Sequence, residues 1–164
     1  TYVAAKLWID TDRWRGVPFL LRTGKKMAAS AQQVSLIFRP AEGPLHSTGA
    51  HRNVLVFDLH GNGAIEIEMT VKQPGPEPLP AEGATRLNLE NVAEGSMPPY
   101  TSLLYDVLTG NRSLFTSSAG LAAAFRTFAP LQGDQRPEVQ TYEDDSWGPE
   151  AADALTDHLG WQLR

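Results

Sequence analysis

Hydrophobic and polar positions along the chain change period once. Over residues 1–95 the apolar residues come in short runs or in strict alternation, the signature of strands. Tyr2 to Ile9 mixes aromatic and β-branched residues and is broken by Asp10-Thr11-Asp12. Val17 to Arg22 predicts a second strand, with Pro18 near its start, where a missing amide donor is tolerated. Gln33 to Phe38, stopped by Pro40, predicts a third, and Val54 to Leu59 a fourth. His60-Gly61-Asn62-Gly63 then offers a tight turn. From Ala64 to Lys72 the chain alternates Ile65, Ile67, Met69 and Val71 against Glu66, Glu68, Thr70 and Lys72, which predicts one buried and one wet face. Thr85 to Glu90 alternates in the same way. Residues 40–53 and 73–84, rich in proline and glycine, read as loops longer than ordinary connections, hence as functional excursions or local disorder.

The last third has helical period. Pro98-Pro99 precedes Tyr100, Leu103, Leu104, Val107 and Leu108, and Gly110 stands where a helix stop belongs. Ser117-Ser118 offers an N-cap to a helix whose face is Leu121, Ala124, Phe125 and Phe128. Gly148-Pro149-Glu150 opens a final helix, with Ala151, Ala154, Leu155, Leu159 and Trp161 as its apolar face. Strands first and helices afterwards predict an α+β fold, a large, mostly antiparallel sheet with C-terminal helices packed on one face or end. Strand–helix–strand crossovers are missing, which argues against a dinucleotide-binding Rossmann fold.

The chain's 164 residues suit one domain able to bury a sizeable core. No apolar run approaches the ~20 residues of a membrane span. The opening Thr1-Tyr2-Val3 carries no signal-peptide pattern, and cysteine is absent. Disulfides and thiolate metal sites are thereby excluded, and a reducing, cytoplasmic compartment is expected. Because Thr1 leads directly into a strand-like segment, a piece of a longer protein is also expected.

The net charge of −5 hides an asymmetry: residues 1–39 carry seven Lys/Arg and two Asp, whereas the remainder carries seven Lys/Arg and 17 Asp/Glu. An acidic whole argues against non-specific nucleic-acid binding. The basic first quarter could serve a small anion such as a sugar phosphate, or could simply pair with the acidic remainder.

Few segments carry chemistry. There is no glycine fingerprint after a strand, no phosphate loop and no paired metal-ligand spacing, so no catalytic residue and no metal site are expected on this chain. His46 and His51 share a loop and could meet a metal, although solvated loop histidines are the simpler reading. His158 falls in the last turn of a helix, where a partial positive charge is favourable. The sharpest local signal is Arg22-Thr23-Gly24-Lys25-Lys26, three cations within five residues around a glycine that allows a sharp turn or a close approach. On spacing alone, a basic loop at a strand end accounts for it.

Resemblance adds to this. The run Thr1 to Asp10, then Arg13-Trp14-Arg15-Gly16-Val17-Pro18-Phe19-Leu20-Leu21-Arg22-Thr23-Gly24-Lys25, is similar to glucose-6-phosphate dehydrogenases. Arg52-Asn53-x-Leu55-Val56 resembles the family's next strand. Tyr100-x-x-Leu103-Leu104-x-Asp106-Val107-x-x-Gly110, with Leu114-Phe115 after it, resembles its long-helix signature. Phe125-Arg126-x-x-Ala129-Pro130-Leu131 and Ser146-Trp147-Gly148-Pro149-x-x-Ala152-Asp153-x-Leu155 resemble its closing segments. These matches are collinear and cover nearly the whole chain.

The resemblance implies that residues 1–164 form the C-terminal, substrate-side domain, with the NADP-binding domain and the catalytic histidine in an N-terminal part absent from this chain. The whole protein would oxidise glucose 6-phosphate to the lactone in the first step of the pentose phosphate pathway, and this chain alone would be inactive. By position, Lys25 would take the substrate phosphate. Ser30 stands where family members often carry a second basic residue, and His60 where a glutamine near the sugar is common. Lys26 could compensate for one lost charge. Homodimerisation through the sheet is implied, and the polar row Glu66, Glu68, Thr70 and Lys72 offers a face for it. Some members hold a second NADP against this domain. At those positions this chain has Ala31, Ser35 and Asp58, with Arg22 the one cation retained, so no such site is expected. The alternative is a non-catalytic interaction protein or diverged paralogue that keeps the fold, which Ala28-Ala29-Ser30-Ala31 favours.

Overall fold

A computed structural model describes residues 1–40, 52–89, 98–134, 136–157 and 159–162. His46, His51 and His158 lie outside them. Among the described residues six strands, β1 (Tyr2–Trp8), β2 (Pro18–Gly24), β3 (Gln33–Ile37), β4 (Val54–Asp58), β5 (Ala64–Lys72) and β6 (Pro80–Asn88), precede the helices α1 (Pro99–Thr109) and α2 (Ser118–Phe128). Short 3-10 helices follow at Ala129–Leu131 and Glu150–Thr156. The α+β class and antiparallel pairing expected from the sequence are what the structure shows. The strands are divided between two ladders, β1-β2 and β3-β4-β5-β6. The chain forms two compact units, Gly95–Tyr142 and the remainder, Thr1–Glu94 with Glu143–Arg164.

In the larger unit β1 pairs with β2 from Tyr2↔Gly24 to Trp8↔Pro18, and the turn between them is fastened by the Arg15 amide donating to the Thr11 carbonyl at 2.8 Å. β5 runs over the predicted residues. β6 begins earlier than the alternation of 85–90 suggested, taking in Pro80 and Gly83 from the expected loop. Its place at the end of the ladder order explains this: an edge strand bonds on one side only, so a proline there costs no pairing.

Cross-strand partners share a face of the sheet. Val56 lies opposite Ser35 and Glu66, and Leu55 opposite Leu36 and Ile67. The face of Glu66 and Glu68 therefore also carries Val54, Val56 and Ala64, which are 5%, 3% and 3% exposed. The apolar row of β5 faces the other way, and Ile67, Met69 and Leu87 are 38%, 42% and 52% exposed. This reverses the wet and buried faces expected from β5 alone, because the neighbouring strand brings its small apolar residues to the polar side.

The closing 3-10 helix packs against β1, where Ala5 and Ala152 are buried and Lys6 Nζ lies 2.6 Å from Asp157 Oδ2. An α-helix was expected here, with Ala151 and Ala154 on its inner face. No side chain caps its first turn, and the Thr156 hydroxyl bonds back to the Asp153 carbonyl three residues earlier. With the tighter 3-10 turn, Ala152 and Thr156 are buried instead.

In the smaller unit, Pro99 opens α1 and Gly110 closes it in the left-handed conformation, its amide reaching Val107 O. Asp106 is buried and accepts from Asn111 Nδ2 at 2.9 Å. Ser117 caps α2, its hydroxyl accepting from the Gly120 amide at 3.0 Å. Leu104, Leu108, Leu121 and Phe125 stand exposed on these helices. Their helical spacing marks a face fit for burial and does not identify what covers it.

Candidate functional site

A cavity of about 590 Å³ lies within the larger unit. The end of β2 and the turn after it supply Arg22, Lys25, Lys26 and Ser30, the start of β3 supplies Gln33 and Ser35, and the C-terminal segment supplies Trp147 and Trp161. The cation-rich run singled out in the sequence thus borders the chamber, with an indole wall that the sequence reading did not connect to it.

The turn is built by close approach. Lys25 donates its amide to Thr1 O at 2.8 Å, continuing the β1-β2 ladder by one bond. A Cβ at position 24 would lie 2.5 Å from Met27 Sδ and 2.9 Å from Tyr2 Cδ2, so a larger residue there would force those side chains to move. Lys26 follows with φ +52°, a left-handed conformation that side chains other than glycine adopt at a cost.

The C-terminal segment holds this turn from outside. Asp145 donates its amide to Lys26 O at 2.9 Å, Ala28 donates to Ser146 O at 2.9 Å, and Met27 and Ser146 form a parallel bridge. Lys26 Nζ lies 2.6 Å from Asp144 Oδ2. Two residues beyond Ser146, Gly148 has φ +102°, and a Cβ there would run into the Tyr2 ring.

Arg22 is the inner cation. Its guanidinium carbon lies 5.0 Å from the Trp147 ring centroid and 4.9 Å from that of Trp161, and Nη1 donates to Trp147 O at 3.2 Å. Burial lowers its pKa, opposed by the nearby Tyr2 phenol and Asp153 carboxylate. Guanidinium remains charged at any working pH, so the stacking is between a cation and two π-faces. Gln33 ties β3 to the same segment through Nε2, which donates to Gln162 O and to Ser35 Oγ.

Of the residues singled out in the sequence, Lys25 and Ser30 line the cavity and are exposed. His60 does not line it. It sits in the β4–β5 turn, its amide donating to Asp58 Oδ1 at 3.0 Å. Lys26, considered as a substitute for a lost charge, is engaged by Asp144. Ala31 and Ser35 contribute no charge to the cavity wall, and Asp58 is paired with Arg86 at 2.7 Å. Among the described residues no group of three or more His, Asp or Glu could hold a metal ion. No helix of the described residues is long and apolar enough to cross a membrane.

Sequence reasoning missed Trp147, Trp161, Asp144 and Gln162 as parts of this site. A signal was present: two of the four tryptophans lie in the C-terminal segment, and indole is the best π-partner for a guanidinium. The distance along the chain concealed it, since Arg22 and Trp147 are 125 positions apart.

Comparison with known proteins agrees with the motif order. The family model described as "Glucose-6-phosphate dehydrogenase, C-terminal domain" matches residues 1–163. Glucose-6-phosphate 1-dehydrogenase of Bos indicus is 34% identical, over 99% of this chain and 32% of its own length. That of Gluconobacter oxydans is 32% identical, over 94% of this chain and 33% of its own length. The chain thus spans about a third of the length of the curated relatives it matches. Among solved structures, Mycobacterium avium glucose-6-phosphate 1-dehydrogenase superposes with a TM-score of 0.78 at 28% identity, covering 99% of this chain and 35% of its own. A glucose-6-phosphate dehydrogenase in complex with its substrate glucose-6-phosphate gives 0.80 at 26% identity, covering 100% of this chain and 35% of its own.

Proposed function

The chain belongs to the glucose-6-phosphate dehydrogenase C-terminal domain family, and from that premise we propose that it is the substrate-side domain of an oxidoreductase that oxidises glucose 6-phosphate to the lactone. The nicotinamide cofactor is NADP in this reading, held by an N-terminal domain that also supplies the base at the sugar's C1 hydroxyl. The sequence carries no nucleotide fingerprint, and the described residues of the cavity wall include no such base, so the chain alone is proposed to be inactive.

The observation that carries the proposal is the position of Lys25, on a turn held from two sides and facing a cavity large enough for a sugar phosphate. An ammonium there attracts the phosphate dianion and fixes the sugar's position for chemistry supplied by the rest of the protein. Arg22 adds positive potential from the wall. Ser30 offers a hydroxyl where a second cation would bind more strongly, so the phosphate depends the more on Lys25. His60 is proposed to act near the sugar only through the β4–β5 turn, since it lies outside the cavity wall. A second NADP is not part of the proposal, because Arg22 is stacked between indoles and Ala31 and Ser35 offer no cation.

In the full-length protein, Lys25→Ala is expected to lower kcat/KM for glucose 6-phosphate at least about tenfold, from the loss of a charge-assisted bond worth ~1.5–3 kcal/mol. Lys26→Ala is expected to cost less. Steady-state kinetics of the two variants test this, and equal, small effects would falsify the assignment of Lys25.

We further propose a cytoplasmic protein, supported by the cysteine-free sequence, and a homodimer formed through the β3–β6 sheet. The open apolar row of Ile67, Met69 and Leu87 favours that association. Sedimentation of the full-length protein is expected to show a dimer that Met69→Lys weakens. A monomer at high concentration would count against it.

A further inference from the structure

Lys25 and Lys26 are adjacent, and both line the cavity. Lys26 has φ +52°, and Asp145, opposite it, has φ +60°. The two left-handed residues meet through the bond from the Asp145 amide to the Lys26 carbonyl at 2.9 Å. The side chain of Lys26 closes the same contact on Asp144 at 2.6 Å. Backbone conformations of this cost persist where the surroundings over-determine them, and they gather where a side chain must be aimed. Here the determination comes from residues 143–147, which the chain reaches 118 positions after Lys26.

We propose that Lys26 is a positioning residue and not a phosphate ligand: with Asp144 it latches the C-terminal segment onto the turn and so aims Lys25 at the substrate phosphate. The inference rests on the reading of Lys25 as the phosphate-binding lysine. Arg22, on the strand leading into the turn, also holds the same segment, with its guanidinium over the Trp147 ring and donating to Trp147 O at 3.2 Å.

The two roles open to Lys26 predict opposite signs at Asp144. If Lys26 binds phosphate, Asp144 competes with the substrate and repels it, so Asp144→Asn lowers KM. If Lys26 is a latch, Asp144→Asn releases the turn and raises KM. Both side chains of the pair are well exposed, 71% for Lys26 and 63% for Asp144. An exposed ion pair adds little to global stability, so these variants are expected to fold as the parent does.

The test is steady-state kinetics of the full-length protein with glucose 6-phosphate. Lys26→Met and Asp144→Asn are each expected to raise KM by about three- to fivefold, the scale of one exposed ion pair, with kcat within about twofold. Combining them is expected to add nothing to either alone. Exchanging the charges, Lys26→Asp with Asp144→Lys, is expected to restore KM, which a lost phosphate ligand could not do. Lys25→Ala serves as the control. A KM unmoved by Lys25→Ala overturns the reading of the site and the latch with it. A KM raised by Lys25→Ala, but lowered or unmoved by Asp144→Asn, overturns the latch alone, as does failure of the exchanged pair to recover.

Discussion

Arg86 donates to Asp58 at 2.7 Å and to Glu66 at 3.4 Å across three strands, and the His60 amide adds a bond to Asp58 at 3.0 Å. The amide first, then the guanidinium, hold the Asp58 carboxyl below its ordinary 3.8. A carboxyl whose pKa is lower folded than unfolded contributes stability above its unfolded value, and loses it as pH falls through the folded value. Asp58→Ala is therefore expected to lower the urea midpoint at pH 7, and the gap from the parent is expected to narrow steadily once pH drops below about 3.8. A gap of constant size from neutral to acid pH would place the effect in packing instead. Residue-scale chemistry was legible where it was local. The turn Arg22 to Lys26 announced itself by three cations around a glycine. The partners that distinguish those cations did not, because Asp144, Trp147 and Trp161 meet the turn only through the folded path of the chain.

Strands with clean alternation and helices with their own punctuation were read closely. β5 occupies the residues its alternation marked, Gly110 stops α1 and Ser117 caps α2. Since the Ser117 hydroxyl satisfies an otherwise unpaired amide of the first turn, Ser117→Ala is expected to destabilise α2 by about 1 kcal/mol. Hydrogen exchange of the amides at the start of α2 is the measurement, and unchanged protection there would contradict the capping role. Elements were misjudged where a neighbour decides. Pro80 and Gly83 argue against a strand until β6 is seen to be at the end of its ladder. Glu66 and Glu68 argue for a wet face until β4 brings Val54 and Val56 to the same side. The last helix is 3-10: its seven residues have no side-chain cap, and the Thr156 hydroxyl bonds to the Asp153 carbonyl three residues earlier.

At the scale of the molecule, the order of strands before helices was enough for the α+β class, and the collinear motifs were enough for the family. The division into two ladders and two compact units left no mark on the periodicity, since period reports a face and not its partner. The chain spans about a third of its relatives' length. It is proposed to hold the phosphate while the rest performs the oxidation. The direct measurement is the ratio of kcat/KM for glucose 6-phosphate to that for unphosphorylated glucose, in the full-length protein and its Lys25→Ala variant. If Lys25 binds the phosphate, the variant loses at least about tenfold on glucose 6-phosphate and little on glucose, so the ratio collapses. An equal loss on both substrates, leaving the ratio intact, would contradict the account.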